Sequence, residues 1–197
     1  MRRINFTFVL AIALLAPAMH AQIVSVYATF SPAHVSNVAS GVIIANGGFQ
    51  TQTASFWAPG IGGGVTLNFL HLGPATLGFD FRGSTKPGTV GADTALAGIK
   101  LGFHPPHLRF KPYVQGSAGY LASRSHLSFI DPPADPTATN KYIAYEVLGG
   151  LDYSLVHFVD LRLVEVGVGK GILTGINFGG SSNATLFTVN TGVVVHF

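Results

Sequence analysis

LFTVNTGVVVHF (Leu186–Phe197) closes the chain, and its reading decides the fold. Phe187, Val189, Thr191, Val193, Val195 and Phe197 share one parity, and Leu186, Thr188, Asn190, Gly192, Val194 and His196 share the other. A period of two puts successive side chains on opposite faces of a strand, so this stretch is a strand with one apolar face and one mixed face.

Working back from it, seven further segments alternate in the same way, at 23–32, 55–71, 75–84, 94–104, 109–124, 141–155 and 158–171; the last strand is expected over 184–197. Gly and Pro collect between them. The connections alternate in length. Leu72–Pro74, Pro105–Leu108 and Val156–His157 are tight, whereas 33–54, 85–93, 125–140 and 172–183 are longer. Short turns at one end and long loops at the other predict an all-β fold, an eight-stranded antiparallel up-and-down transmembrane β-barrel. The short turns and both termini are expected on the periplasmic side, with the loops extracellular.

Composition agrees with that expectation. Apolar residues make up 48% of the 197 and charged residues 10%, well under the ~25% of a soluble domain. No apolar run reaches the ~20 residues of a spanning helix. Strand alternation is the other route to a lipid-compatible surface. Arg2 and Arg3, the apolar stretch Phe6–Ala16 and small residues at Ala18 and Ala21 read as a secretory signal peptide over residues 1–21, with the barrel over 22–197. Loss of Arg2 and Arg3 leaves nine cationic against eight acidic side chains, so the basic precursor is no argument for nucleic-acid binding. There is no cysteine, hence no disulfide or thiolate chemistry.

The polar parity carries nine charges: Asp80, Arg82, Lys100, Lys111, Glu146, Asp152, Asp160, Arg162 and Glu165. On a lipid face these would be costly, so they are expected inside, paired with one another. Antiparallel neighbours predict Lys100 near Asp80, Lys111 near Asp152 and Arg162 near Asp152. The seventh segment changes parity between Leu163 and Val164, and a β-bulge there would turn Glu165 inward. Aromatic residues fall at two heights: Phe69, Phe103, Phe110, Tyr153, Phe158 and Phe197 near the short turns, and Phe30, Phe56, Trp57, Tyr120, Tyr145 and Phe187 near the loops. Two such girdles are expected at the two membrane interfaces.

"KPYVQGSAGY" (Lys111–Tyr120) resembles the central strand of OmpA-like barrel domains, and "GFDFRGS" (Gly78–Ser84) and "VDLRLVEVGVG" (Val159–Gly169) resemble other strands of that family. The final strand, with Val193, Val195 and the terminal Phe197, resembles the C-terminal signal read by the outer-membrane assembly machinery. The resemblance implies a small outer-membrane barrel in contact with lipid and lipopolysaccharide, with a structural or surface-interaction role and an unidentified loop partner. The resemblance stops at the eighth strand, so a peptidoglycan-binding domain and a cell-wall tether are not expected. A narrow pore for ions or small molecules is the alternative.

Chemical motifs are weak by comparison. His126-Leu127-Ser128 with Glu146 has the residue types of lipid A deacylases. That family carries the pair on its penultimate strand, where Arg162–Gly169 has neither His nor Ser, so the chain is expected not to be an enzyme. His71, His104, His107, His157 and His196 gather at the short-turn rim, but without metal-ligand spacing, and neither metal nor cofactor is expected. "GVGKG" (Gly167–Gly171) lacks the helix that a phosphate loop requires.

Overall fold

A computed structural model gives the protein as a closed antiparallel barrel; it describes residues 24–45, 48–88, 91–126, 137–174 and 183–197. The expected signal segment, 1–21, lies outside the described residues. The strands are β1 (Val24–Phe30), β2 (Ala33–Ala45), β3 (Gly48–Ala58), β4 (Ile61–Leu72), β5 (Ala75–Lys86), β6 (Gly91–Phe103), β7 (Phe110–His126), β8 (Thr137–Val156), β9 (Val159–Leu173) and β10 (Asn183–His196).

Ten segments make an eight-membered ring, because β1 and β2 occupy one position and β3 and β4 another. Phe30 pairs with Ile61 and Ala33 with Ala58, one unbroken register. The amide of Ser31 donates to the Gly60 carbonyl at 2.8 Å across the interruption. Pro32 has no amide to donate, and its carbonyl accepts from Val189 instead. The ring closes where β1 pairs with β10, Ser25 opposite His196.

The expected long connection 33–54 is therefore corrected: most of it is a paired hairpin, β2 with β3. Thr, Val, Ile and Gln alternate there beyond the assumed strand end. The Pro-rich connection also shrinks, since β8 begins at Thr137. The tight turns stand as expected; Gly73 adopts φ 59°, which suits glycine, immediately before Pro74.

On β9, Glu165 pairs with Asn190 and Arg162 with Gly192, so two β9 residues oppose one on β10. This is the expected bulge. Leu163 and Val164 both face outward, while Arg162 and Glu165 both face inward at 0% and 1% exposure. The outer surface is aliphatic and aromatic, with Phe79, Phe81, Val114, Val147 and Val168 each about half exposed. Ring contacts mark both ends of this belt: Phe110 with Tyr153 at 5.1 Å, and Trp57 with Phe187 at 6.1 Å.

Candidate functional site

The inward parity of β5 to β9 brings the charged side chains together on the barrel axis. Arg82 is central. Its Nε donates to Asp80 at 3.1 Å, and Nη1 and Nη2 donate to Glu165 at 2.9 and 3.1 Å. Arg162 approaches from the other side, with Nε 3.1 Å from Asp152 and Nη1 3.2 Å from Glu165. Its guanidinium lies 4.4 Å from the Tyr27 ring centroid and 5.0 Å from that of Tyr113. Neutral donors use the remaining lone pairs: Tyr27, Thr66 and Gln115 donate to Asp80, and Tyr113 and Asn190 donate to Glu165. Charges withdrawn from water in this way are tolerable because each carboxylate oxygen finds a donor.

All nine sequence-predicted charges face this interior. The direct partners of the two lysines differ from expectation. Lys100 makes its ion pair with Asp152, at 3.8 Å, while still interacting electrostatically with Asp80. It stands opposite Gly78, two residues toward the short turns from Asp80, and leans over the Tyr113 ring at 3.9 Å. Lys111 is opposite Asp152 in register but reaches Asp160 at 2.8 Å, because Arg162 already holds Asp152. Glu146 accepts from Thr188 at 2.7 Å rather than joining an ion pair.

Sequence reasoning missed Lys86, which is 0% exposed and donates to Ser84. It shares the parity of Asp80, Arg82 and Ser84, so extending that strand by two residues would have found it. With Lys86, the described residues place five Lys or Arg against five Asp or Glu side chains in the interior. Small residues make room for the rings. A Cβ on Gly150 would run into the ring and hydroxyl of Tyr113. Gly150→Val should therefore displace Tyr113 and lower stability by about 1–3 kcal/mol, read as a lower urea midpoint of unfolding. An unchanged midpoint would show that the ring has other room. Gly167 and Gly171 of "GVGKG" make similar space, for Glu146 and Tyr142.

Above the charges the interior turns apolar. Val35 and Val38 of β2 cluster with Leu96, Leu121, Tyr142 and Leu186, all at most 5% exposed. An extra residue in β2 between Val35 and Val38, where Asn37 takes φ 58°, bends the strand so that it approaches β7 and β8 across the mouth. The lumen between this seam and the rim retains voids of about 20 and 30 Å³. At the short-turn end a cavity of about 940 Å³ opens, lined in part by His71, His104, His157, His196, Arg109 and Lys111. His107 is not in its wall. Burial, aided by Lys111, pushes His104 down to about 4. Among the described residues no three His, Cys, Asp or Glu side chains converge on a metal position. His126 ends β7, and Leu127 and Ser128 lie outside the described residues. Glu146 is sealed inside the lumen, bonded to Thr188.

No protein-family model and no curated protein matches the sequence. Solved structures do match. Neisserial surface protein A is 15% identical, covering 87% of this chain and 97% of its own, with a TM-score of 0.46. The N-terminal β-barrel domain of Pseudomonas aeruginosa OprF is 12% identical, covering 88% and 97%, at 0.46. The outer membrane protease OmpT of Escherichia coli is 9% identical, covering 93% and 99%, at 0.47. Identities this low speak to the fold alone. The expectation that the chain is not an enzyme is corrected here. A protease stands among the barrels it matches, and a barrel scaffold by itself does not decide for or against chemistry. By its closed eight-membered antiparallel ring, charged within and apolar without, the chain is an all-β barrel similar in architecture to these outer-membrane barrels.

Proposed function

We propose that the mature chain, beginning after Ala21, is an integral outer-membrane barrel that adds a closed, rigid element to the envelope and meets partners through its loops. The short turns and termini face the periplasm, and the final strand with Val193, Val195 and Phe197 is what the assembly machinery engages. The outer belt contacts lipid. Lys141 and Lys170, exposed on β8 and β9 at and beyond the height of Tyr145, stand where lipopolysaccharide phosphates would lie.

The observation that carries this reading is the filled lumen. Arg82 and Arg162 bridge Asp80, Glu165 and Asp152 across the axis, and the Val35–Leu121–Tyr142 seam lies above them. An eight-stranded barrel is just wide enough for side chains to occupy. The spaces left among these side chains are small, about 20 and 30 Å³. Reconstituted into planar bilayers, the protein should give no stable conductance steps. Reproducible single-channel openings from the purified barrel would overturn the closed-lumen reading in favour of the narrow pore.

A further inference from the structure

We propose that Ser25, His196 and Asp160 form a serine esterase site at the short-turn end of the lumen. The three residues sit on consecutive ring strands, β1, β10 and β9. Ser25 is the register partner of His196, and Asp160 is that of Val194, two residues back on the same face. Ser25 Oγ lies 2.8 Å from His196 Nδ1, and His196 Nε2 lies 2.7 Å from Asp160 Oδ2.

The protons follow from the acceptors. An ionised carboxylate only accepts, so the Nε2 that faces Asp160 carries hydrogen. In a neutral ring Nδ1 then holds the lone pair, and the Ser25 hydroxyl donates to it. A hydroxyl aimed at a base, with the base oriented by a buried carboxylate, is the arrangement that activates a serine nucleophile. The two ring nitrogens exchange roles relative to the serine-protease template. That alters no acid–base relation, since each nitrogen still serves one partner. Asp160 is the positioning residue and is itself firmly held: Ser154 donates to it at 2.8 Å, and Lys111 donates to both oxygens at 3.1 and 2.8 Å.

A latch between the first and last strands would need only the bonds. What argues for chemistry is access. His196 forms part of the wall of the 940 Å³ cavity, a size suited to a small ligand. Ser25 lines the roughly 30 Å³ void next to it, and Asn68, Thr76, His104 and Lys111 line both spaces. The narrow space beside Ser25 and the wide cavity therefore share a wall of polar side chains. Ser25 is only 3% exposed, so the site selects a slender acyl group whose alcohol portion stays in the wide cavity. The substrate class is a small carboxylic ester.

The reaction balances with water alone. Ser25 Oγ bonds to the carbonyl carbon as its proton passes to His196 Nδ1. The tetrahedral adduct collapses, the C–O bond to the alcohol breaks, and the leaving oxygen takes that proton. Water then attacks the acyl-Ser25 ester, losing a proton to Nδ1. The second collapse frees the carboxylic acid and returns the proton to Ser25.

The test uses full-length mature protein, folded in detergent, with a fluorophosphonate probe and peptide mass spectrometry. Wild type should carry the adduct on Ser25, and boiled protein should not. Ser25→Ala should lose it. His196→Gln, which keeps a donor and an acceptor, should label about 100-fold more slowly or worse, while still showing the heat-modifiable mobility of a folded barrel. Should that variant fail to fold, the wild-type adduct itself decides. No adduct on Ser25 in folded wild type, or labelling at an unchanged rate in folded His196→Gln, would overturn the assignment and leave a latch.

Discussion

Arg162→Ala should lower the stability of the folded barrel by about 3–5 kcal/mol, because it takes one cation from each of two buried carboxylates and leaves a cavity between two rings. Arg162 is 0% exposed and faces Asp152 at 3.1 Å and Glu165 at 3.2 Å. It also sits between the Tyr27 and Tyr113 rings, at 4.4 and 5.0 Å. Truncation removes all four relations, and the cations that remain do not replace them: Lys100 stays 3.8 Å from Asp152, and Arg82 is already shared between Asp80 and Glu165. The measurement is urea unfolding in lipid vesicles, followed by the emission of Trp57, the single tryptophan, which lies 63% exposed on the outer face. Removing charge on both sides should cost less. Arg162→Met combined with Glu165→Gln should recover part of the loss, because an unpaired buried charge costs more than a missing pair. A single variant as stable as wild type would mean that water enters the lumen and screens these groups.

The strands, the tight turns and the bulge were legible because each obeys a local rule. Alternation fixes the faces, and the parity change at Leu163–Val164 fixes the bulge, since without it Glu165 would meet lipid. Individual partners were legible only in part: Arg162 lies against Asp152 as expected, at 3.1 Å, but the lysines do not follow their expected pairing. Lys100 and Lys111 were assigned to carboxylates on adjacent strands, yet long side chains in a narrow barrel choose among several strands. Both instead lie against carboxylates two strands away, Asp152 and Asp160. The apolar seam was present in the sequence but misread. Leu96, Leu121, Leu148 and Leu186 all fall on the lumen parity, where polar residues were expected. An apolar residue there makes sense only once the β2–β3 hairpin is seen to bring Val35 and Val38 across the mouth. The Ser25–His196–Asp160 relation was hidden for a further reason. It joins the two ends of the chain, and only ring closure brings them together.

Lipid contact on the outer face leads to the second large effect. Val166 is 40% exposed on β9 and pairs with Gly149 of β8, which lies four residues from both Tyr145 and Tyr153. That places Val166 midway between the two aromatic levels, at the depth where hydrocarbon is driest. Val166→Arg should therefore destabilise the barrel by about 2–4 kcal/mol in bilayers. The natural Lys170 serves as the control. It faces the same way on the same strand, opposite Tyr145 at the upper interface, and Lys170→Val should change stability by no more than about 1 kcal/mol. Depth is the only variable that separates the two sites, since both project outward from β9. If Val166→Arg folded as readily in bilayers as wild type, water rather than hydrocarbon would be covering the aliphatic face, and a soluble barrel would be the better description of the chain.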